Sequence, residues 1–125
     1  MQLDHLILAV NDIDESVRFY TEVLGLADDG PNDPFRVIRV TPDFTIQLAP
    51  WGSGGGEHLA FALPKAEFDA TFDRVRAAGV EFGDSFHSVG NMQGPGDEPG
   101  SRGPGKAVYF FDPSKHLIEI RHYET

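Results

Sequence analysis

The feature that most constrains this chain is a pattern that occurs twice. Residues 5–25 and 58–79 each read as a strand, then an amphipathic helix, then a glycine stop. In the first copy, alternation puts Leu6, Leu8 and Val10 on one strand face and His5, Ile7 and Ala9 on the other. Asp12 starts the helix, with Glu15 three residues on as its capping-box partner. Ile13, Val17, Tyr20 and Leu24 follow at helical spacing as a buried stripe. In the second copy, Leu59, Phe61 and Leu63 share one face, and His58, Ala60 and Ala62 the other. Its helix begins at about Lys65 and carries Phe68, Phe72 and Val75. Gly25 follows His5 by 20 positions, and Gly79 follows His58 by 21. Two copies are too few for a solenoid, so the pattern predicts two equivalent modules.

Each copy continues into strands. Phe35–Val40 and Phe44–Ala49 are predicted strands of the first module, preceded by a turn-rich connection over Asp28–Pro34. Trp51–Gly56 is a glycine-rich join. Lys106–Tyr123 reads as two antiparallel strands joined by Asp112-Pro113-Ser114-Lys115. The second copy is longer because of Gly90–Gly105, whose six glycines and three prolines exclude helix and central strand. A loop of that length in a compact domain is expected to be either a mobile lid or a disordered surface loop.

Charge narrows the partners. A net charge of −10 disfavours nucleic acid and anionic membrane, both of which attract basic patches. No apolar run approaches the ~20 residues of a membrane span. The opening residues carry no basic segment or cleavage site, so a cytoplasmic location is expected. Without cysteine there is neither a disulfide framework nor thiolate chemistry, but there are five histidines.

Alternation in the last strand places Leu117, Glu119, Arg121 and Tyr123 on one face and Ile118, Ile120 and His122 on the other. Glu119 is thus a carboxylate among apolar neighbours, and burial there demands a cation. Arg36, Arg39 and Arg121 are candidates; a metal ion is another. A lone strand histidine is more often hydrogen-bonded structure than a ligand. His5 and His58, however, hold equivalent positions in two repeats. Sheets curled about a shared cleft would bring them to Glu119, with Gln47 from the first module beside them. Two imidazoles and a carboxylate with open positions suit Fe(II) or a similar ion. His87 is a candidate to line the cleft. His122 points away from the Glu119 face, and His116 lacks the repeat symmetry.

Three stretches, LDHLILAVNDIDESVRFYTEVLGL, EHLAFAL and VYFFDPSKHLIEI, carry a family resemblance. The chain resembles the vicinal oxygen chelate superfamily: glyoxalase I, extradiol dioxygenases, and fosfomycin and bleomycin resistance proteins. The resemblance implies an α+β glyoxalase-like fold. Two βαβββ modules, about 1–50 and 57–125 of one domain, would form a curved mixed-sheet cup around a divalent metal: Fe(II), Mn(II), Ni(II) or Zn(II). The ligand positions fall on His5, His58 and Glu119. Gln47 falls where glyoxalase I has a glutamate, and an amide cannot move protons between adjacent carbons. The His, His, Glu set is closer to dioxygenases and fosfomycin resistance enzymes. The expectation is a metal-dependent lyase- or dioxygenase-type enzyme acting on a small oxygenated substrate through two neighbouring oxygens. Gln47 and Tyr109 are placed in catalytic roles, and Arg39 and Tyr123 are candidates to orient substrate. A homodimer with shared sites is expected, His5 meeting the His58 and Glu119 of the other chain. The competing reading is a non-catalytic binder of a drug or natural product, with Trp51, Phe35, Phe44, Tyr109 and Phe111 as an aromatic cleft.

Overall fold

The computed structural model describes residues 1–124. Among these residues two helical segments, the first ending as a π-helix, accompany nine strands in two sheets. The first contains β1 (His5–Ala9), β2 (Ala27–Asn32), β3 (Phe35–Thr41) and β4 (Phe44–Ala49) in the order β1-β4-β3-β2. The second contains β5 (His58–Ala62), β6 (Phe82–Gly83), β8 (Gly105–Phe111) and β9 (Leu117–Tyr123) in the order β5-β9-β8-β6, with β7 (Gly96–Asp97) paired to β8. The orders match element for element. In each sheet the first strand pairs parallel with the last, and the rest of the path is antiparallel. The fold is α+β, with one sheet and one helical segment per repeat.

The equivalence extends to register. Ile7 lies opposite Gln47, and Ala60 lies opposite Glu119. Each polar residue therefore faces the position two beyond its repeat's histidine, on the same sheet face as that histidine.

The helices differ in form. In the first, α1 (Ile13–Arg18) accepts at its N-cap as expected: Asp12 Oδ1 takes the Glu15 amide at 3.0 Å. From Phe19 to Val23 the chain then widens into a π-helix, which helical spacing alone does not foretell. It ends at Gly25, whose φ of +75° suits a residue without Cβ. The second helix, α2 (Lys65–Ala77), is regular and buries Phe68, Thr71, Phe72 and Val75.

The connection expected over Asp28–Pro34 is instead mostly the edge strand β2. A bulge between Asp28 and Gly30 absorbs the turn-forming residues. Pro31 is tolerated because one side of an edge strand needs no donor. Arg36 binds Asp28 across the pair and holds its carboxyl below the usual carboxylate range.

Both sheets pack their helix-bearing faces into one core. Leu8, Val10, Tyr20, Ile38, Ile46 and Leu48 come from the first repeat, and Phe68, Phe72, Val75, Phe110, Ile118 and Ile120 from the second. Phe19 meets Phe110 at a ring separation of 6.0 Å, and Arg74 Nε donates to the Val23 carbonyl at 3.0 Å. The consequence for the site is direct: the faces carrying His5 and His58 both turn away from the shared core.

The turn between β8 and β9 ties the repeats together. Asp112 Oδ1 accepts the Ser114 and His116 amides, while Oδ2 accepts the Tyr20 hydroxyl at 2.7 Å. Burial and the Asp112 carboxylate both push the Tyr20 phenol upward. Ser114 Oγ accepts the Asn11 amide, and Asn11 in turn pairs with both backbone groups of Ser53. His116 is buried; its Nε2 bonds the Ala9 carbonyl at 2.8 Å, and its Nδ1 accepts the Glu57 amide at 3.3 Å. Those roles fix the neutral tautomer protonated on Nε2.

Candidate metal centre

Two of the three predicted ligands meet. His58 is the first residue of β5, and Glu119 is the third of β9, on the same sheet face. His58 Nε2 lies 3.0 Å from Glu119 Oε1. The imidazole is open, at 47% side-chain exposure, whereas the carboxylate is buried at 7%. One donor thus faces solvent and the other forms the floor.

The cation that Glu119 requires is already within the chain. Arg121 Nη1 donates to Glu119 Oε2 at 2.7 Å, and both side chains are buried. Arg36 and Arg39 are engaged elsewhere. Arg36 holds Asp28; Arg39 holds Asp29 and the Pro42 carbonyl. An acidic group at this depth is stable only with such a partner.

Tyr109 lies directly across the antiparallel pair from Glu119 and is buried. Its pKa is pushed up to about 12, chiefly by burial and next by the Glu119 charge. The phenol is therefore a proton-holding donor at neutral pH, not a base. Its ring neighbours His58 at 6.2 Å and Phe86 at 6.4 Å, and Phe86 lies against His87 at 3.8 Å. Phe111 and Leu117 extend the same face. His122 faces the other way, its ring 4.9 Å from Phe68.

His5 does not join them within one chain. It stands on the outward face of the first sheet, and its Nδ1 lies 2.7 Å from Asp4 Oδ2. That contact orients the ring and leaves Nε2 free. Gln47 is on the same face, its Oε1 accepting from Asn32 Nδ2 at 3.1 Å. Among the described residues no three His, Cys, Asp or Glu side chains cluster closely enough to hold a metal ion. Trp51 and Phe35 form an aromatic pair at 5.7 Å, away from Tyr109 and Phe111 on the other sheet. A cleft of about 550 Å³ runs between the sheets, lined by Leu6, Phe44, Ile46, Leu59 and Phe61. His58 is on its lining but Glu119 is not, so the chemistry belongs to the sheet face and not to this cleft.

The donors fit a divalent ion in type. An imidazole and a carboxylate lie side by side on one sheet face, and both are donor types that divalent ions take. The third predicted ligand, His5, lies on the other repeat. Sequence reasoning did not single out Arg121 from the three arginines, although its i+2 spacing on a strand put it beside Glu119. It also missed the insertion's part: Arg121 Nη2 donates to the Glu98 carbonyl at 2.7 Å, which draws β7 and its loop onto β9.

Known proteins share this architecture. The chain is 26% identical to the glutathione transferase FosA of Serratia marcescens over 125 residues, covering 94% of this chain and 78% of that one. Its structure superposes on the oxidase ChaP-H1 with a TM-score of 0.82 at 30% identity, covering 99% and 97% of the two chains. It also superposes, at 21% identity and TM-score 0.72, on an E126Q mutant of the fosfomycin resistance protein FosX from Listeria monocytogenes, covering 98% and 90%. That protein was solved with Mn(II) and 1S,2S-dihydroxypropylphosphonic acid, and its likeness here is one of fold. The names among these relatives are transferase and oxidase, and none is a lyase. Residues 2–120 match the model of the Glyoxalase/Bleomycin resistance protein/Dioxygenase superfamily, and the chain belongs to that superfamily.

Proposed function

We propose that this protein is a divalent-metal-dependent enzyme that acts on a small oxygenated substrate with a flat, apolar body. The metal would be held by His58 and Glu119 of one chain and His5 of a second copy. The observation that carries this reading is the 3.0 Å pairing of His58 Nε2 with Glu119 Oε1, on a face that turns away from its own chain's His5. A two-fold pair of chains would make two equivalent centres, each cup built from the first repeat of one copy and the second repeat of the other. When bound, the metal would act as a Lewis acid on two neighbouring substrate oxygens.

The chain's own residues define the rest. Glu119 supplies the negative charge that offsets the ion, and Arg121 keeps that carboxylate in place. Tyr109 keeps its proton and donates to an oxygen that gains charge. Phe86 and Phe111 offer the substrate apolar contact. Gln47 of the second copy would add a neutral donor at the rim. Arg121 is committed to Glu119 and the Glu98 carbonyl, while Arg102 lies over the Tyr123 ring at 4.3 Å. The 30%-identical oxidase supports oxidase-type chemistry as the first reading, with transfer to an oxygenated anion as the second.

Elemental analysis of protein purified without added metal, followed by mixing of variants, tests the reading. His5→Ala and Glu119→Ala proteins, unfolded and refolded together, should form mixed pairs with one intact and one doubly broken centre. Random pairing makes half the dimers mixed, so metal binding should recover to about a quarter of the wild-type level. No recovery in demonstrated heterodimers overturns the shared centre. Tight binding of aromatic natural products by metal-free protein, without turnover in the loaded form, would favour the non-catalytic binder.

A further inference from the structure

We infer that Arg121 is the positioning residue of this centre. It occupies one oxygen of Glu119, so that only Oε1 is offered to a metal, and it links the Gly96–Gly105 segment to that carboxylate. This inference rests on the proposed metal centre.

The geometry is specific. Oε1 faces His58 and Oε2 is taken by Arg121 Nη1. The second amino group of the same guanidinium, Nη2, reaches the Glu98 backbone carbonyl at 2.7 Å. The guanidinium also lies over the Tyr123 ring, with Cζ 4.6 Å from the centroid. Arg121 is 3% exposed, and its buried Nε has no hydrogen-bond partner among the described residues. A guanidinium is a rigid planar fork. Displacing the Glu98 carbonyl therefore rotates the amino group that holds Glu119.

Gly100 completes the link from the other side. A Cβ there would run into the Tyr123 hydroxyl and into Cζ and Nε of Arg121. The absence of a side chain lets the segment lie flat on the guanidinium. In the first repeat the Gln47 oxygen is held by Asn32, and among the described residues no arginine hydrogen-bonds to it. The device belongs to the repeat that carries the charged ligand.

A carboxylate held by one oxygen ligates through the other; a released carboxylate can ligate through both. Partners of metal ligands typically change affinity ~10–100-fold when removed. Arg121→Met should therefore weaken Co(II) or Mn(II) binding ~10-fold or more. It should also narrow the separation of the carboxylate stretching bands in the infrared difference spectrum, the signature of two-oxygen ligation. Arg121→Lys, which keeps the charge but loses the fork, should restore affinity in part and leave the spectrum altered. Gly100→Ala keeps Arg121 and displaces it from the loop side, so it should shift affinity and spectrum in the same direction by a smaller amount.

Wild-type affinity and spectrum in both Arg121→Met and Gly100→Ala overturn the inference. Altered affinity with an unchanged spectrum also overturns it, since that is what a merely structural role produces. If Arg121→Met does not fold, Arg121→Lys and Gly100→Ala decide by the same two readouts. A metal-free control separates this failure from failure of the functional reading. Amide exchange over residues 97–105 should accelerate in Arg121→Met whether or not metal is present. If wild-type protein binds no metal, the functional reading falls, and unchanged exchange in that segment then removes the link as well.

Discussion

Gln47 and Glu119 hold the same place in two copies of one sheet, yet their surroundings have diverged. Gln47 is a neutral amide on an open face, paired with Asn32. Glu119 is a buried carboxylate flanked by Arg121, His58 and Tyr109. The two histidines differ in the same sense: His5 leans on the exposed Asp4, and His58 leans on the buried Glu119. Topology and register are shared, so the backbone alone cannot account for the difference. The second repeat has the insertion, and the insertion brings a backbone carbonyl down on Arg121. A carboxylate is stable at that depth with a fixed cation beside it, and among the described residues the insertion of the second repeat helps fix one.

The contrast can be broken by removing its charges. Arg121→Ala should cost about 3–5 kcal/mol, because it strands a buried carboxylate. Asp4→Ala, which removes the exposed carboxylate beside His5, should stay within about 0.5 kcal/mol. Urea unfolding of both variants measures the difference, and equal effects would show that the repeats are less unlike than they look.

Metal retention should follow the same asymmetry. Glu119→Gln preserves an acceptor for Arg121 but loses the charge, and should weaken divalent-metal binding ~100-fold or more. Gln47→Ala should weaken it by less than ~10-fold, a neutral oxygen contributing less to a cation than a carboxylate does. Competition titrations against a chromogenic chelator distinguish these.

The turn that joins the repeats gives a smaller effect. Tyr20→Phe removes the only described side-chain partner of Asp112 Oδ2 and should destabilise the protein by about 1–3 kcal/mol.

The tyrosines themselves supply the finest probe. Tyr123 is lowered by its Ser101 hydrogen bond, Tyr109 is raised to about 12, and Tyr20 is raised further by burial. Phenolate absorbance should therefore rise in three steps in that order. A folded-state pKa above the unfolded value stabilises the fold below the unfolded pKa, near 10. That contribution is lost as pH climbs through the folded value. Stability should accordingly fall between about pH 10 and 12, and Tyr109→Phe should flatten the part of the fall that Tyr109 causes.

Much of this could be read from residue order. Alternation over His5–Ala9 and His58–Ala62, with the glycines at 25 and 79, revealed the duplicated strand and helix. It also gave His58 and Glu119 a face on each of their strands, and the β5–β9 register makes it the same face. Other features were not legible for physical reasons. The π-helix at Phe19–Val23 has the same apolar stripe as an α-helix, and its extra residue per turn leaves no compositional mark. The strand at Ala27–Asn32 is made of turn-forming residues that only its pairing with β3 forces straight. Which arginine would serve Glu119 depended on long-range packing for Arg36 and Arg39, while for Arg121 it needed only strand alternation. The separation of His5 from Glu119 within the chain arises because the helical faces share one core, and strand periodicity contains no information about how two sheets stack.

The Asp112–His116 turn has a consequence for how the protein is made. It binds Ala9 across 107 positions, Asn11 across 103 and Tyr20 across 92. At typical synthesis rates a ribosome needs about 5–20 s to traverse that interval. Until residues 112–116 emerge, the end of β1 and the buried Tyr20 hydroxyl lack their partners, although the first sheet's own strands are already available. The nascent first repeat should therefore form its hairpins early and remain loosely closed. The finished chain tightens from its tail, with the slow step set by contacts of long sequence separation and not by either repeat alone.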